Sequence, residues 1–118
     1  MNKKELKQLI LNYIETHPGT SFVELERLFE RNDIKYKGDY EYTAKDDENH
    51  VFWTGWQECY FKLIAELVKD GLIEKHYAQP LIYYIDGKTL TLPVAKSPRK
   101  KKKPYWMPIS FSLAGGDE

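Results

Sequence analysis

The chain has 118 residues, of which 42% are hydrophobic and 31% are charged, and its formal net charge is zero. These values are typical of one soluble globular domain. The single cysteine excludes an intramolecular disulfide and a cysteine-based zinc site, and no apolar run approaches the ~18 residues of a membrane span. We therefore expect a cytoplasmic protein with no signal peptide and no membrane association.

Two helices are predicted at the start of the chain. Asn2 and Glu5 have the spacing of a capping box, and the apolar residues that follow recur at helical spacing. The sequence His17-Pro18-Gly19 ends this helix. Ser21 and Glu24 form a second capping box, which begins a shorter helix that ends near residue 31 or 32.

Residues 32–53 lose the helical period and are predicted to form an inserted loop or a small hairpin, with a turn at "KDDEN". A third capping signal, Thr54 with Gln57, then predicts a helix over about residues 55–70. Gly71 follows as the C′ glycine. The apolar face of this helix comprises Trp56, Tyr60, Leu63, Ile64, Leu67 and Val68.

Beta-branched and aromatic residues dominate residues 72–77, 81–85 and 88–93, which predicts a three-stranded antiparallel meander. Its second turn would be a type I′ turn at Asp86-Gly87. Residues 95–104 are then predicted to be an exposed basic linker. The apolar residues 105–113 either pack back on the body as an extra strand or dock on a partner protein.

The segment "LIAELVKDGLIEKHYAQPLIYYI", residues 63–85, resembles the third helix and wing of winged helix-turn-helix domains. The residues that carry this resemblance are Leu63, Leu67, Gly71, Leu72, Ile73, Glu74 and Lys75, followed by residues 82–84. The resemblance implies an α+β fold in which three helices precede a small antiparallel sheet. That domain would span residues 1–94, with residues 32–53 inserted between helices 2 and 3, and residues 95–118 would be a basic linker and an apolar segment. The whole chain also resembles small uncharacterised proteins of Gram-positive phages and pathogenicity islands.

The charge distribution predicts an anionic partner for the end of the chain. Residues 1–91 hold 12 Lys and Arg against 16 Asp and Glu, whereas residues 92–118 hold six against two. A dense basic segment neutralises phosphates without reading sequence, and exposed aromatic rings can stack on bases. With the winged-helix resemblance, this predicts a non-enzymatic DNA-binding protein that binds duplex or single-stranded DNA, in regulation or replication of a bacterium or a mobile element. The predicted contact residues are Trp53, Trp56, Gln57, Lys62, Lys96, Arg99, Lys100, Lys101, Lys102 and Lys103. For Trp53 and Trp56 the alternative is a place in the core, beside the third helix.

Protein interaction is the alternative function. The body is acidic, the residues of the predicted wing tip are uncharged, and the C-terminal segment is apolar. A phage- or island-encoded modulator of another protein would have these properties, and a homodimer is possible. The predicted partner-binding residues are Tyr105, Trp106, Ile109 and Phe111.

Catalytic and metal-binding interpretations are weaker. Asp70, Asp86 and Lys88 have the bare pattern of a metal-dependent nuclease, but Asp86 also fits a hairpin turn. The acid-rich residues 39–50 lack the spacing of an EF-hand and are interpreted as a solvated loop. Cys59 is interpreted as a buried thiol. The expectation is therefore no enzyme activity, no cofactor and no metal.

Overall fold

The computed structural model describes residues 1–97 and 99–115. Within these residues the chain forms four helices and five strands, so the predicted α+β class is confirmed but the predicted number of helices, three, is wrong. In chain order the elements are α1 (Lys3–Thr16), α2 (Phe22–Arg31), β1 (Lys37–Ala44), β2 (Asp47–Trp56), α3 (Glu58–Lys69), β3 (Ile73–Tyr77), α4 (Pro80–Asp86), β4 (Tyr105–Trp106) and β5 (Ile109–Leu113).

Both predicted capping boxes are present at the start of the first two helices. The Asn2 side chain accepts from the backbone N–H of Glu5 at 2.8 Å, and the Glu5 carboxylate accepts from the Asn2 N–H at 2.9 Å. Ser21 and Glu24 repeat the arrangement at 3.2 and 3.1 Å. These bonds satisfy backbone donors that have no partner inside a helix, which is why both helices begin where the sequence predicts.

The inserted segment is a β-hairpin that runs further than predicted. Strand β2 continues through Thr54 to Trp56, so the third capping signal was wrong and α3 begins at Glu58. The Gln57 side chain instead donates to the carbonyl of Lys35 at 2.7 Å. At the base of the hairpin, a Cβ on Gly38 would lie 2.7 Å from the backbone nitrogen of Gln57, so this close approach requires glycine.

Residues 81–85 are helical rather than a strand, which corrects the predicted meander. Pro80 occupies the first turn of α4 and Gly87 ends it at φ 93°, an arrangement that favours a short helix. Helical geometry also buries the Tyr83 ring, whose hydroxyl donates to the carbonyl of Ile109 at 2.6 Å and accepts from the N–H of Phe22 at 3.2 Å. The "DG" pair therefore caps a helix here, and residues 88–93 continue as loop.

The C-terminal segment supplies the strands that pair with β3 and with the hairpin. Strand β5 pairs antiparallel with β3, from Ile73 opposite Leu113 to Tyr77 opposite Ile109, and bridges to Thr20 on its other side. Strand β4 pairs in parallel with β2, so the first sheet has the order β1-β2-β4. One short segment therefore joins the hairpin to the helical body.

Three of the four predicted partner-binding residues lie in the core. The side chains of Trp106, Ile109 and Phe111 are at most 1% exposed, because β4 and β5 pack their apolar side chains inward. The prediction that these three bind a partner is corrected, and the alternative that the segment packs back on the body describes the structure. Tyr105 is partly exposed.

A buried carboxylate connects α2 to the hairpin. Glu26 is 4% exposed, and its Oε2 accepts from the indole N–H groups of Trp53 at 2.8 Å and Trp56 at 2.9 Å. Its Oε1 accepts from Lys88 Nζ, also at 2.9 Å. A charged group is tolerated at such a site when its charge and its hydrogen-bonding capacity are both satisfied, as they are here.

Replacing Glu26 with alanine should destabilise the protein by about 2–6 kcal/mol, because two buried indole N–H donors lose their acceptor at about 1–3 kcal/mol each. Urea unfolding measures the change in the free energy of unfolding. Glu15→Ala, on the exposed face of α1, removes the same charge without disturbing the core and is the matched control. Equal stability of the two variants would contradict the structural role of Glu26.

Candidate nucleic-acid interface

Two of the predicted DNA-contacting residues are fully buried. Trp56 stacks on Phe61 with ring centroids 4.7 Å apart, and Trp53 stacks on Phe22 at 5.9 Å. Both indole N–H groups are already bonded to Glu26. The prediction that Trp53 and Trp56 contact a nucleic acid is therefore corrected, because neither ring has a free face for a base.

The predicted polar residues at the start of α3 are exposed but already engaged. The amide nitrogen of Gln57 donates to a backbone carbonyl, as described above, and Lys62 Nζ lies 3.4 Å from the Glu58 carboxylate one turn away. Opposite charges that alternate along the helix leave this part of α3 close to neutral. Cys59 is exposed on the same helix, which corrects its interpretation as a buried thiol.

The basic run is held along the start of β2. We call residues 99–103 the basic strap. His50 Nε2 donates to the Arg99 carbonyl at 2.8 Å, and the Lys101 N–H donates to Asp47 Oδ2 at 3.0 Å. The Asn49 side chain donates to the Lys101 carbonyl at 2.7 Å. Most residues of the strap are exposed, as predicted for the linker, but the backbone of Arg99 and Lys101 is bonded to the hairpin.

The hydrogen bond from the backbone N–H of Lys101 lowers the pKa of the Asp47 carboxyl, so this acceptor stays ionised at neutral pH. The side chain of Lys101 folds back, with its Nζ 3.0 Å from the Ser97 carbonyl. The other four basic side chains of the strap are exposed to solvent: Arg99, Lys100, Lys102 and Lys103. The backbone bonds therefore hold the strap, with its four exposed cations, beside the start of β2.

A groove lies between the tip of the hairpin and the second half of α3. We call it the α3 groove; its volume is about 830 Å³. Contacts of Tyr40 and Tyr42 with Phe61, at centroid distances of 6.3 and 5.4 Å, hold β1 against the helix. The groove is lined by Tyr42, Thr43, Ala44, Lys45, Asp46, Lys62, Ala65, Glu66, Val68, Lys69 and Lys75.

Two smaller depressions continue the α3 groove. The β3 pocket, of about 450 Å³, shares Ala44, Asp46 and Lys75 with the groove. The Lys96 pocket, of about 460 Å³, shares Tyr77 and Met107 with the β3 pocket. Neighbouring depressions share lining residues and so adjoin one another, and we call the three together the trench.

Lysines outnumber acids along the trench. The lining includes two carboxylates, Asp46 and Glu66, and five lysines, of which Lys62 is paired with Glu58 outside the lining: Lys45, Lys62, Lys69, Lys75 and Lys96. Glu66 accepts from Lys3 and Lys7, each at 2.9 Å to Oε1, and these partners lower its pKa to about 2. The α1 lysines thus offset that negative charge, and the trench presents a net positive surface.

The basic strap adjoins the trench through His50. This side chain lines the β3 pocket and bonds to the Arg99 carbonyl, so it belongs to both. Lys62, Lys96 and the strap were predicted from the sequence as DNA contacts, whereas Lys45, Lys69 and Lys75 were not. These three lysines are isolated along the chain, and they come together because the hairpin tip lies beside α3 and β3.

Within residues 1–97 and 99–115, no three His, Cys, Asp or Glu side chains gather in a way that could hold a metal ion. Across the same residues, every helix is too short or too polar to cross a membrane. Comparison with protein-family models, with curated proteins and with solved structures found no match to this chain.

Proposed function

We propose that this protein is a non-enzymatic DNA-binding protein whose contact surface is the trench together with the basic strap. The observation that carries the proposal is the lysine-lined trench with the exposed cations of the basic strap beside it. Phosphates are recognised mainly by Lys and Arg, and a concave surface of one sign concentrates the opposite charge. A regulatory or replication-accessory role in a bacterium or a mobile element follows from the sequence resemblance.

The order of elements supports a winged-helix scaffold for this function. Along the chain, the elements of this scaffold are α1, the bridging residue Thr20, α2, α3, β3 and β5. In space, β5 lies between β3 and Thr20. Three helices before the β3–β5 pair agree with what the resemblance implies, whereas the returning strand is β5 and not residues 82–84. The hairpin is inserted before α3, and α4 with the strap and β4 occupies the connection that would form a wing.

Binding should depend on salt and on the lysines of the trench. Reversing Lys69 and Lys75 together to glutamate should weaken DNA binding at least ~10-fold, and the slope of log K against log salt should fall by about 1.4–1.8. Gel-shift titration with duplex and single-stranded DNA at about 50 and 200 mM salt measures both quantities.

Lys35→Glu, at an exposed position outside the trench, is the matched charge-reversal control and should bind more tightly than the double variant. Absence of binding by the native chain at low salt would refute DNA binding. Equal weakening by the control and by Lys69→Glu/Lys75→Glu would refute the trench as the contact surface.

Protein interaction is a second candidate, and the outer face of α4 favours it. Leu81, Tyr84 and Ile85 lie at i, i+3 and i+4, and are 61%, 60% and 75% exposed. Residues 77–85 carry no charge, so two copies of this face could meet without repulsion between like charges. The protein interaction to be tested is therefore self-association through α4.

Sedimentation velocity at about 10–100 µM tests that association, because weak interfaces of this kind form in the micromolar range. The native chain should form dimers that Ile85→Glu abolishes, whereas Leu72→Glu, at another exposed leucine, should leave them intact. A native chain that sediments as a monomer throughout this range would contradict self-association.

A further inference from the structure

We infer that the trench accepts single-stranded DNA, and that the ring of Tyr77 is the platform on which one of its bases stacks. This inference rests on the proposed DNA-binding function and narrows its ligand. It follows from three observations: the placement of α3 beside the hairpin, the engagement of the α3 polar groups, and the position of Tyr77 in the trench.

Helix α3 is poorly placed to enter a DNA duplex. A helix that reads bases occupies a major groove about 12 Å wide, so it must project from its surroundings. Here Lys62, Ala65 and Lys69 form one wall of the α3 groove, and the hairpin tip forms the opposite wall. A duplex approaching this face would meet the hairpin before the helix, whereas a single strand is thin enough to lie between them.

The start of α3 also lacks free groups for reading base edges. Gln57 uses its amide nitrogen on the Lys35 carbonyl, and Lys62 is shared with Glu58. Glu58 is itself exposed and would face the phosphates of an inserted duplex. Binding that relies on phosphate contacts and stacking needs no base-edge reading at this position.

Tyr77 provides the aromatic surface that a single strand uses. It ends β3 opposite Ile109, and its side chain is 69% exposed. It lines both the β3 pocket and the Lys96 pocket, so it separates the part of the trench that contains Lys75 from the part that contains Lys96. Lysines on both sides of an exposed ring can hold consecutive phosphates while the base between them stacks.

Duplex DNA cannot use this platform without unstacking, because its bases are already stacked on one another. Single strands offer free base faces, and each base–aromatic stack contributes a measurable fraction of the affinity. The geometry therefore predicts a preference for single strands that disappears when the Tyr77 ring is removed.

Fluorescence anisotropy with the full chain tests this preference. The probes are labelled oligo(dT) of about 15 nucleotides and a mixed-sequence duplex of similar length. We expect oligo(dT) to bind at least ~10-fold more tightly than the duplex, and Tyr77→Ala to weaken oligo(dT) binding roughly 5- to 150-fold. Tyr77→Phe should bind like the native chain, since stacking needs the ring and not the hydroxyl.

Leu72→Ala is the control, because Leu72 is an exposed apolar side chain that lies outside both the trench and the outer face of α4. It should bind oligo(dT) as the native chain does. Duplex binding equal to or tighter than oligo(dT) binding, or no effect of Tyr77→Ala, would overturn the inference while DNA binding itself stands. If neither probe binds at low salt, the proposed function fails together with the inference.

Discussion

The Glu26 carboxylate is the constraint on which the rest of the structure depends. It lies on α2, yet its two oxygens are bonded to two indoles of β2 and to the ammonium of Lys88. Burying an ionised carboxylate is unfavourable unless such partners are present, so the core forms when α2, the hairpin and the loop after α4 come together. Local packing of α2 alone cannot meet that requirement. The inserted hairpin is thereby part of the core rather than an appendage.

This attachment creates the surface that we propose binds DNA. With β2 fixed to α2, β1 lies against α3 through Tyr42 and Phe61, and the hairpin tip stands beside the lysines of α3 and β3. The C-terminal segment then closes the structure, because β4 pairs with the hairpin and β5 pairs with β3. Since the strap precedes β4 and its backbone is bonded to β2, its exposed cations lie beside the trench. One buried carboxylate thus helps to position charges on two distant parts of the chain.

Local signals in the sequence were enough to predict part of this fold. Both capping boxes and the ends of α1 and α2 follow from side-chain spacing, because a cap needs contacts within four residues. Residues 81–85 were mispredicted because "LIYYI" fits a strand by propensity, whereas burial of the Tyr83 ring and the bonds of its hydroxyl to the Phe22 and Ile109 backbone select a helix. Spacing alone did not decide between core and DNA contact for Trp53, because its acceptor, Glu26, is distant in sequence. The trench could not be predicted, since it depends on where the hairpin tip lies in three dimensions.

The location of the bound strand tests the proposed function most directly. An NMR titration of the ¹⁵N-labelled full chain with oligo(dT) measures the change in each backbone amide shift. These changes report which residues the ligand reaches. The largest changes should fall on Lys45, Lys69, Lys75 and Tyr77, with smaller changes along the basic strap and none on the outer face of α4. Changes concentrated on α4, with the amides of the trench unaffected, would contradict the trench as the binding surface.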